Sequence, residues 1–163
     1  MKVYTLTQEQ WLNAPLDDVF PFFSRPENLE RLTPGMLGMK VLTPPPIPMH
    51  VGAIIDYVVS INGLPMRWTT CISEYDPPHR FVDVQLKGPY AFWHHTHTFV
   101  AEGDGTRIRD EVRYMLPFGP LGRIAHRLLV RRQLDTIFGH RRAFLEGIDD
   151  WRGINSELEG TTR

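Results

Sequence analysis

Polar and apolar residues alternate through most of the first 116 positions, the two-residue period of half-buried strands, and only afterwards does the pattern lengthen toward a helix. Residues 2–13 predict a first strand, with Val3, Thr5 and Thr7 on one side and Tyr4, Leu6 and Gln8 on the other. Pro15 then opens a short helix: Asp17 and Asp18 suit its N-terminus, Val19, Phe20, Phe22 and Phe23 give it a bulky face, and Pro21 keeps it short. Pro26 opens a second short helical piece, closed by Pro34 and Gly35. Residues 39–42 predict a short strand, and Thr43-Pro44-Pro45-Pro46-Ile47-Pro48 after it reads as a stiff, extended connector.

From Gly52 the chain is plainly β. Residues 53–61 and 64–75 flank Asn62-Gly63, a strong hairpin signal. That turn sets Ile61 opposite Leu64, Val59 opposite Met66, Tyr57 opposite Trp68 and Ile55 opposite Thr70. The face is apolar and aromatic, while Asp56, Ser60, Arg67, Thr69 and Ser73 make the other face polar. Residues 80–87 form the next strand, between Asp76-Pro77-Pro78 and Gly88-Pro89. Residues 90–101 and 106–116 follow, and a turn at Gly103-Asp104 sets Phe99 opposite Ile108, His97 opposite Asp110, His95 opposite Val112 and Trp93 opposite Tyr114. Asp83 joins that face if the Gly88-Pro89 turn holds three residues. If it holds two, Val82, Val84 and Leu86 point inward, which the apolar pattern favours; the spacing of Phe81, Asp83 and Gln85 keeps the first register open.

Residues 120–151 predict one long C-terminal helix, opened by Pro120. Its apolar residues do not share a stripe: Leu121, Ile124, Ala125, Leu128 and Leu129 lie on one side, and Leu134, Ile137, Phe138, Leu145 and Ile148 centre about half a turn away. We therefore expect a break near Val130 to Gln133, with a movable lid before it and a fixed spine after it. Residues 153–163 show no periodicity and are expected to form a flexible tail outside a single domain spanning 1–152.

Length and charge narrow the classes. A chain of 163 residues, 42% hydrophobic, buries a proper core as one domain. The formal net charge of −1 argues against nucleic acid, although arginine outnumbers lysine fifteen to three. No apolar run approaches the roughly 20 residues of a membrane span, so membrane insertion is not expected. The alternating N-terminus does not read as a cleaved leader, and the cytoplasm is the expected compartment. The single cysteine, Cys71, excludes an internal disulfide.

His95, His97 and Asp110 form the one concentrated polar group on a face that is otherwise apolar. Buried unpaired, such groups cost a few kcal/mol, so they must satisfy one another, hold water or meet a ligand. A carboxylate beside an imidazole fixes its tautomer and raises its basicity, as a general base needs; the same pair equally serves to tie two strands together. His94 beside them suggests a metal cluster, but strand alternation turns it away, and no metal or other cofactor is expected. No nucleophile triad or phosphate-binding glycine loop is present.

Several strings resemble the START-like or SRPBCC superfamily, the helix-grip proteins, and within it the polyketide cyclase/dehydrase-like branch. They are Gly52-x-x-Ile55-x-Tyr57, Gly63-x-Pro65-x-x-Trp68, Pro77-Pro78-x-x-Phe81-x-Asp83-x-Gln85, Gly88-Pro89-x-x-x-Trp93-x-His95-x-His97-x-Phe99, Gly105-Thr106-x-Ile108-x-Asp110-x-Val112-x-Tyr114 and Leu116-Pro117-Phe118-Gly119. The resemblance covers residues 2–148. It implies an α+β helix-grip fold, in which a seven-stranded curved antiparallel sheet wraps around a long C-terminal helix, with two short helices between strands 1 and 2. It also implies a cavity for a hydrophobic or aromatic small molecule, lined by Ile55, Tyr57, Val59, Met66, Trp68, Trp93, His95, His97, Asp110 and Tyr114. The aromatic set Tyr57, Trp68, Trp93, Tyr114 and Phe118 fits a packed core on its own pattern and a pocket wall under the resemblance.

Three functions follow as expectations, since one fold hosts many activities. The first is binding of such a molecule. The second is a cyclase, dehydratase or hydratase using His95 or His97 with Asp110 for proton transfer. The third is an interaction module whose arginine-bearing helix and proline-rich loop meet a partner protein.

Overall fold

The computed structural model describes residues 2–61, 63–120 and 129–160, the last three by backbone only. Seven strands form one antiparallel sheet: β1 (Tyr4–Leu12), β2 (Lys40–Val41), β3 (Ile54–Ile61), β4 (Leu64–Asp76), β5 (Arg80–Lys87), β6 (Phe92–Glu102) and β7 (Gly105–Met115). Their order across the sheet is β1-β7-β6-β5-β4-β3-β2. Two short helices, α1 (Leu16–Phe23) and α2 (Leu29–Leu32), connect β1 to β2, with 3-10 turns at Pro26–Asn28 and Gly35–Leu37. Among the described residues two more follow the sheet, α3 (Arg131–Glu146) and α4 (Trp151–Gly160).

Both hairpins pair as their turn residues require. Ile61 lies opposite Leu64, and Gly63 takes φ 79°, a conformation open to glycine. Tyr57 meets Trp68, Trp93 meets Tyr114 and His97 meets Asp110. At Gly105 a side chain has no room: a Cβ would overlap the Leu12 carbonyl of β1 and the Trp11 ring. Gly105→Ala is expected to cost about 1–3 kcal/mol by prising the end of β1 from β7, read as a lower urea midpoint; an unchanged midpoint would show that the two strands yield there.

The concave side carries two apolar clusters. One joins α1 to the sheet and to the helices after it, through Phe20, Phe22, Phe23, Phe81, Phe99, Leu145 and Trp151. The other packs Ile55, Tyr57, Val59, Trp68, Trp93 and Tyr114 against Leu134 and Phe138 of α3. The proline-rich connector is tied down by Ile47, which is buried and donates its N–H to Glu27 Oε1 at 3.1 Å.

The C-terminal region departs from expectation in two ways. The final long helix ends at Glu146, where the Gly147 N–H closes back on Ala143 and Phe144 carbonyls. Residues 153–163 were expected as an irregular tail, yet a separate helix runs from Trp151 to Gly160. Trp151 is buried, with its ring edge-on to Phe22 at 5.7 Å, which single-helix periodicity does not reveal because the partner lies on α1. Leu129 and Val130 form a π-helical turn leading into α3, beside the expected break. The lid expected before it, residues 121–128, lies outside the described residues.

Candidate functional site

A cavity of about 180 Å³ lies between the concave face of the sheet and α3. Its wall is apolar: Ile55, Tyr57, Val59, Trp68 and Trp93 line it from the sheet, Leu134 and Phe138 from α3, and Phe23 and Leu32 from the early helices. His95, His97 and Asp83 form its polar end.

Four residues expected on the lining are not there. Met66 is half-buried near the turn of its hairpin, opposite Val59. Tyr114 packs behind the wall, stacked on Tyr4 at 5.6 Å and edge-on at 5.7 Å to Tyr90, which itself lines the cavity. Phe118 sits past the end of β7 at φ 65°, 81% exposed. Asp110 is buried beneath the two histidines, on the side away from the space.

Asp83 settles in the inward register. It lies opposite His95, with Phe81 opposite His97, so these residues share one face. The connection after β5 is wider than a two-residue turn: the Gln85 side chain closes it by donating to the Tyr90 carbonyl at 2.8 Å and accepting the Tyr90 N–H at 3.3 Å. The apolar pattern favoured the other register because Val82 is fully buried on the opposite face, whereas Leu86, which that register would have buried, is 60% exposed.

Two carboxylates and two imidazoles interlock here. His95 Nε2 is 3.0 Å from Asp110 Oδ1, and His97 Nε2 is 2.9 Å from Asp83 Oδ2. The crossed approaches are also short: His95 Nδ1 to Asp83 at 3.4 Å, and His97 Nδ1 to Asp110 at 2.9 Å, the latter outside hydrogen-bond alignment. The two rings lie 3.8 Å apart, and His97 stacks on Phe81 at 4.1 Å.

Arg141 of α3 completes the group, with Nη1 3.2 Å from Asp110 Oδ1. Its guanidinium lies over the Phe23 ring at 4.9 Å and near Phe138 at 5.9 Å, where ring faces offset the lack of acceptors for Nε and Nη2 among the described residues. Nothing in the sequence reading singled out Arg141. Its signal was available: Leu134, Phe138, Arg141 and Leu145 form the buried row of α3, so an arginine stands where helical spacing calls for an apolar residue.

The protonation pattern follows from these neighbours. Burial alone would push both carboxyls up. Arg141 foremost, then His95 and His97, outweigh it and hold Asp110 well below the usual range; the two imidazoles hold Asp83 below it as well. Burial lowers His95, helped by the positive character of His97, and its carboxylate neighbours do not reverse this. For His97 the two carboxylates overcome burial and raise it. With His97 carrying the proton and His95 neutral, two anions face two cations and the buried group is balanced. Burial, then the charge of Asp83, also keeps the Tyr57 phenol protonated; its hydroxyl is 3.2 Å from Thr70 Oγ1.

Comparisons with known proteins agree with this architecture. The family model described as polyketide cyclase / dehydrase and lipid transport matches residues 12–138. No sequence among the curated proteins matches the chain. Among solved structures, a protein from Thermus thermophilus superposes with a TM-score of 0.67 at 17% identity, covering 90% of this chain and 100% of its own. A START superfamily protein from Mycobacterium smegmatis gives 0.65 at 15%, covering 94% and 98%. Norcoclaurine synthase from Thalictrum flavum, solved with dopamine and hydroxybenzaldehyde, gives 0.63 at 18%, covering 91% and 90%. At such identities the likeness is one of fold.

Proposed function

We propose, because the chain belongs to the polyketide cyclase/dehydrase and lipid transport family, that its cavity binds a hydrophobic or aromatic small molecule and that the polar end orients it. The observation that carries this reading is an apolar, aromatic wall closed at one end by Asp83, His95 and His97. The volume of about 180 Å³ is near the ~150 Å³ of a cavity that accepts benzene, so a single ring or a slim apolar chain is the right scale. The complex of norcoclaurine synthase with dopamine and hydroxybenzaldehyde supports aromatic occupants for this fold. Among the described residues no helix is long and apolar enough to cross a membrane.

Single-ring aromatics titrated into the protein should quench the fluorescence of Trp68 and Trp93, which meet edge to face at 5.2 Å in the wall. Trp93→Ala should weaken binding by about 10-fold or more, the loss of one large buried contact surface. A broad panel of such ligands that neither quenches nor raises the melting temperature would refute the reading.

A second reading is favoured by one observation, two imidazoles at the cavity surface each within 3.0 Å of a carboxylate, where burial lowers His95 and the carboxylates raise His97. His95 supplies a base and His97 an acid, as a cyclase or dehydratase moving protons on a bound polyketide-like substrate requires. Turnover that persists in His97→Ala and Asp110→Asn removes these residues from any such mechanism.

A further inference from the structure

We propose that Asp83, His95 and His97 form a binding site for a divalent transition-metal ion, open toward the cavity. The three come from adjacent strands: Asp83 pairs across β5–β6 with His95, and His97 lies two residues on, so all share one face. The histidine run in the sequence supplies only two of the ligands, because His94 belongs to the opposite face; the third is the aspartate whose register the structure decides.

The spacing is that of one coordination shell. Asp83 Oδ2 is 2.9 Å from His97 Nε2 and 3.4 Å from His95 Nδ1, and one ligand atom from each residue falls within 4.8 Å of the others. Tetrahedral bonds of about 2.1 Å set neighbouring ligand atoms ~3.4 Å apart, so small side-chain movements bring the three onto one ion. All three residues line the cavity, which leaves the remaining position for water or a ligand atom, the arrangement of an open rather than a structural site. Two imidazoles with one carboxylate suit zinc, cobalt or iron(II), not calcium or magnesium, which prefer oxygen.

The back of the site is built for the same purpose. Asp110 Oδ1 is hydrogen-bonded to His95 Nε2 at 3.0 Å and lies 2.9 Å from His97 Nδ1 outside hydrogen-bond alignment. A carboxylate bonded behind an imidazole holds the tautomer whose front nitrogen is free to coordinate, which Asp110 does for His95. Arg141, 3.2 Å from Asp110, makes that side unsuitable for a second cation, so the two aspartates are not equivalent: Asp83 is a ligand and Asp110 the support. With neutral imidazoles, two carboxylates and one guanidinium leave a buried excess of negative charge, and a cation must offset it. A proton on an imidazole meets the charge but engages only one pair of these atoms, whereas a metal ion can engage all three, which lie within 4.8 Å of one another at the cavity surface.

This site is separable from ligand binding, and so is its test. The full-length chain, stripped with a chelator, is titrated with Zn²⁺ by calorimetry and with Co²⁺ by visible absorption. The expected result is one ion per chain and cobalt bands of a nitrogen/oxygen site of low coordination number. Asp83→Asn, close to isosteric, should weaken Zn²⁺ binding beyond the 10–100-fold that losing an outer partner costs, and Asp110→Asn should weaken it by about 10–100-fold. His94→Gln should bind as the parent does, because His94 lies on the opposite face, and the titration uses the metal alone without an organic ligand, so a failed cavity and a failed metal site give different results. In the unsubstituted chain Zn²⁺ should shift the ring resonances of His95 and His97 and leave those of His50, His79 and His140 in place, a readout that does not depend on a variant folding. No uptake by the folded chain, uptake unchanged in Asp83→Asn, or shifts confined to other histidines would overturn the proposal and leave a proton as the balancing cation.

Discussion

Replacing Arg141 by leucine is expected to destabilise the protein by about 3–5 kcal/mol, the usual result of removing one partner from a buried ion pair. Arg141 and Asp110 are 8% and 6% exposed, and their 3.2 Å approach is shielded by the rings of Phe23 and Phe138. Without the guanidinium, Asp110 keeps only the two imidazoles as partners, and both already serve Asp83. At ~2–4 °C per kcal/mol for a chain of this size, the melting temperature should fall by about 10 °C. The double variant Arg141→Leu/Asp110→Leu should recover most of the loss, because it removes the stranded charge along with its partner. Urea unfolding followed by tryptophan fluorescence gives all the free energies of the cycle. A single Arg141→Leu chain as stable as the parent would mean that the imidazoles alone suffice for Asp110, and that Arg141 has no structural hold on the site.

Trp151→Ala is expected to cost a similar amount, about 3–5 kcal/mol for truncating a buried large aromatic. The ring fills the space beside Phe22, which is fully buried, and so joins α4 to α1. Polar bonds around it fix the same joint: Asn155 Nδ2 donates to the Asp18 carbonyl at 2.8 Å, and Arg25 Nη1 donates to the Asn155 carbonyl at 2.9 Å. The Arg152–Asp18 ion pair contributes little, since Arg152 is exposed. Ending the chain after Asp150 should cost at least as much as the point substitution. A truncated chain with the melting temperature of the whole would show α4 to be dispensable, as the sequence pattern alone suggested.

These two sites are also where sequence reasoning was weakest, and for related reasons. Arg141 and Trp151 act through partners on elements remote in the chain, Asp110 on β7 and Phe22 on α1. Periodicity reports which face of an element is apolar, but not what that face meets. An arginine in an apolar row looks like an interruption until a buried carboxylate is placed opposite. A tryptophan at the end of a predicted helix looks like its last residue until a phenylalanine edge is placed against it. Asp83 failed differently: its two candidate faces differ by one residue of turn length, and Val82 is buried on the outer side, so burial could not discriminate between them.

By itself, the sequence determined the seven strands, the two short helices after the first, and the registers of β3 with β4 and β6 with β7, hence the pairing of His97 with Asp110. Those features depend on local causes, a two-residue side-chain period and turn residues that set it in phase. Only the tertiary structure decided that Asp83 turns inward, that Arg141 reaches Asp110 from the helix, that Tyr114 and Phe118 lie off the cavity, and that a separate helix over Trp151–Gly160 packs against α1. Each of these depends on the distance between groups far apart in sequence, and the energies that select them, desolvation of charge and close packing of rings, exist only once the elements are assembled.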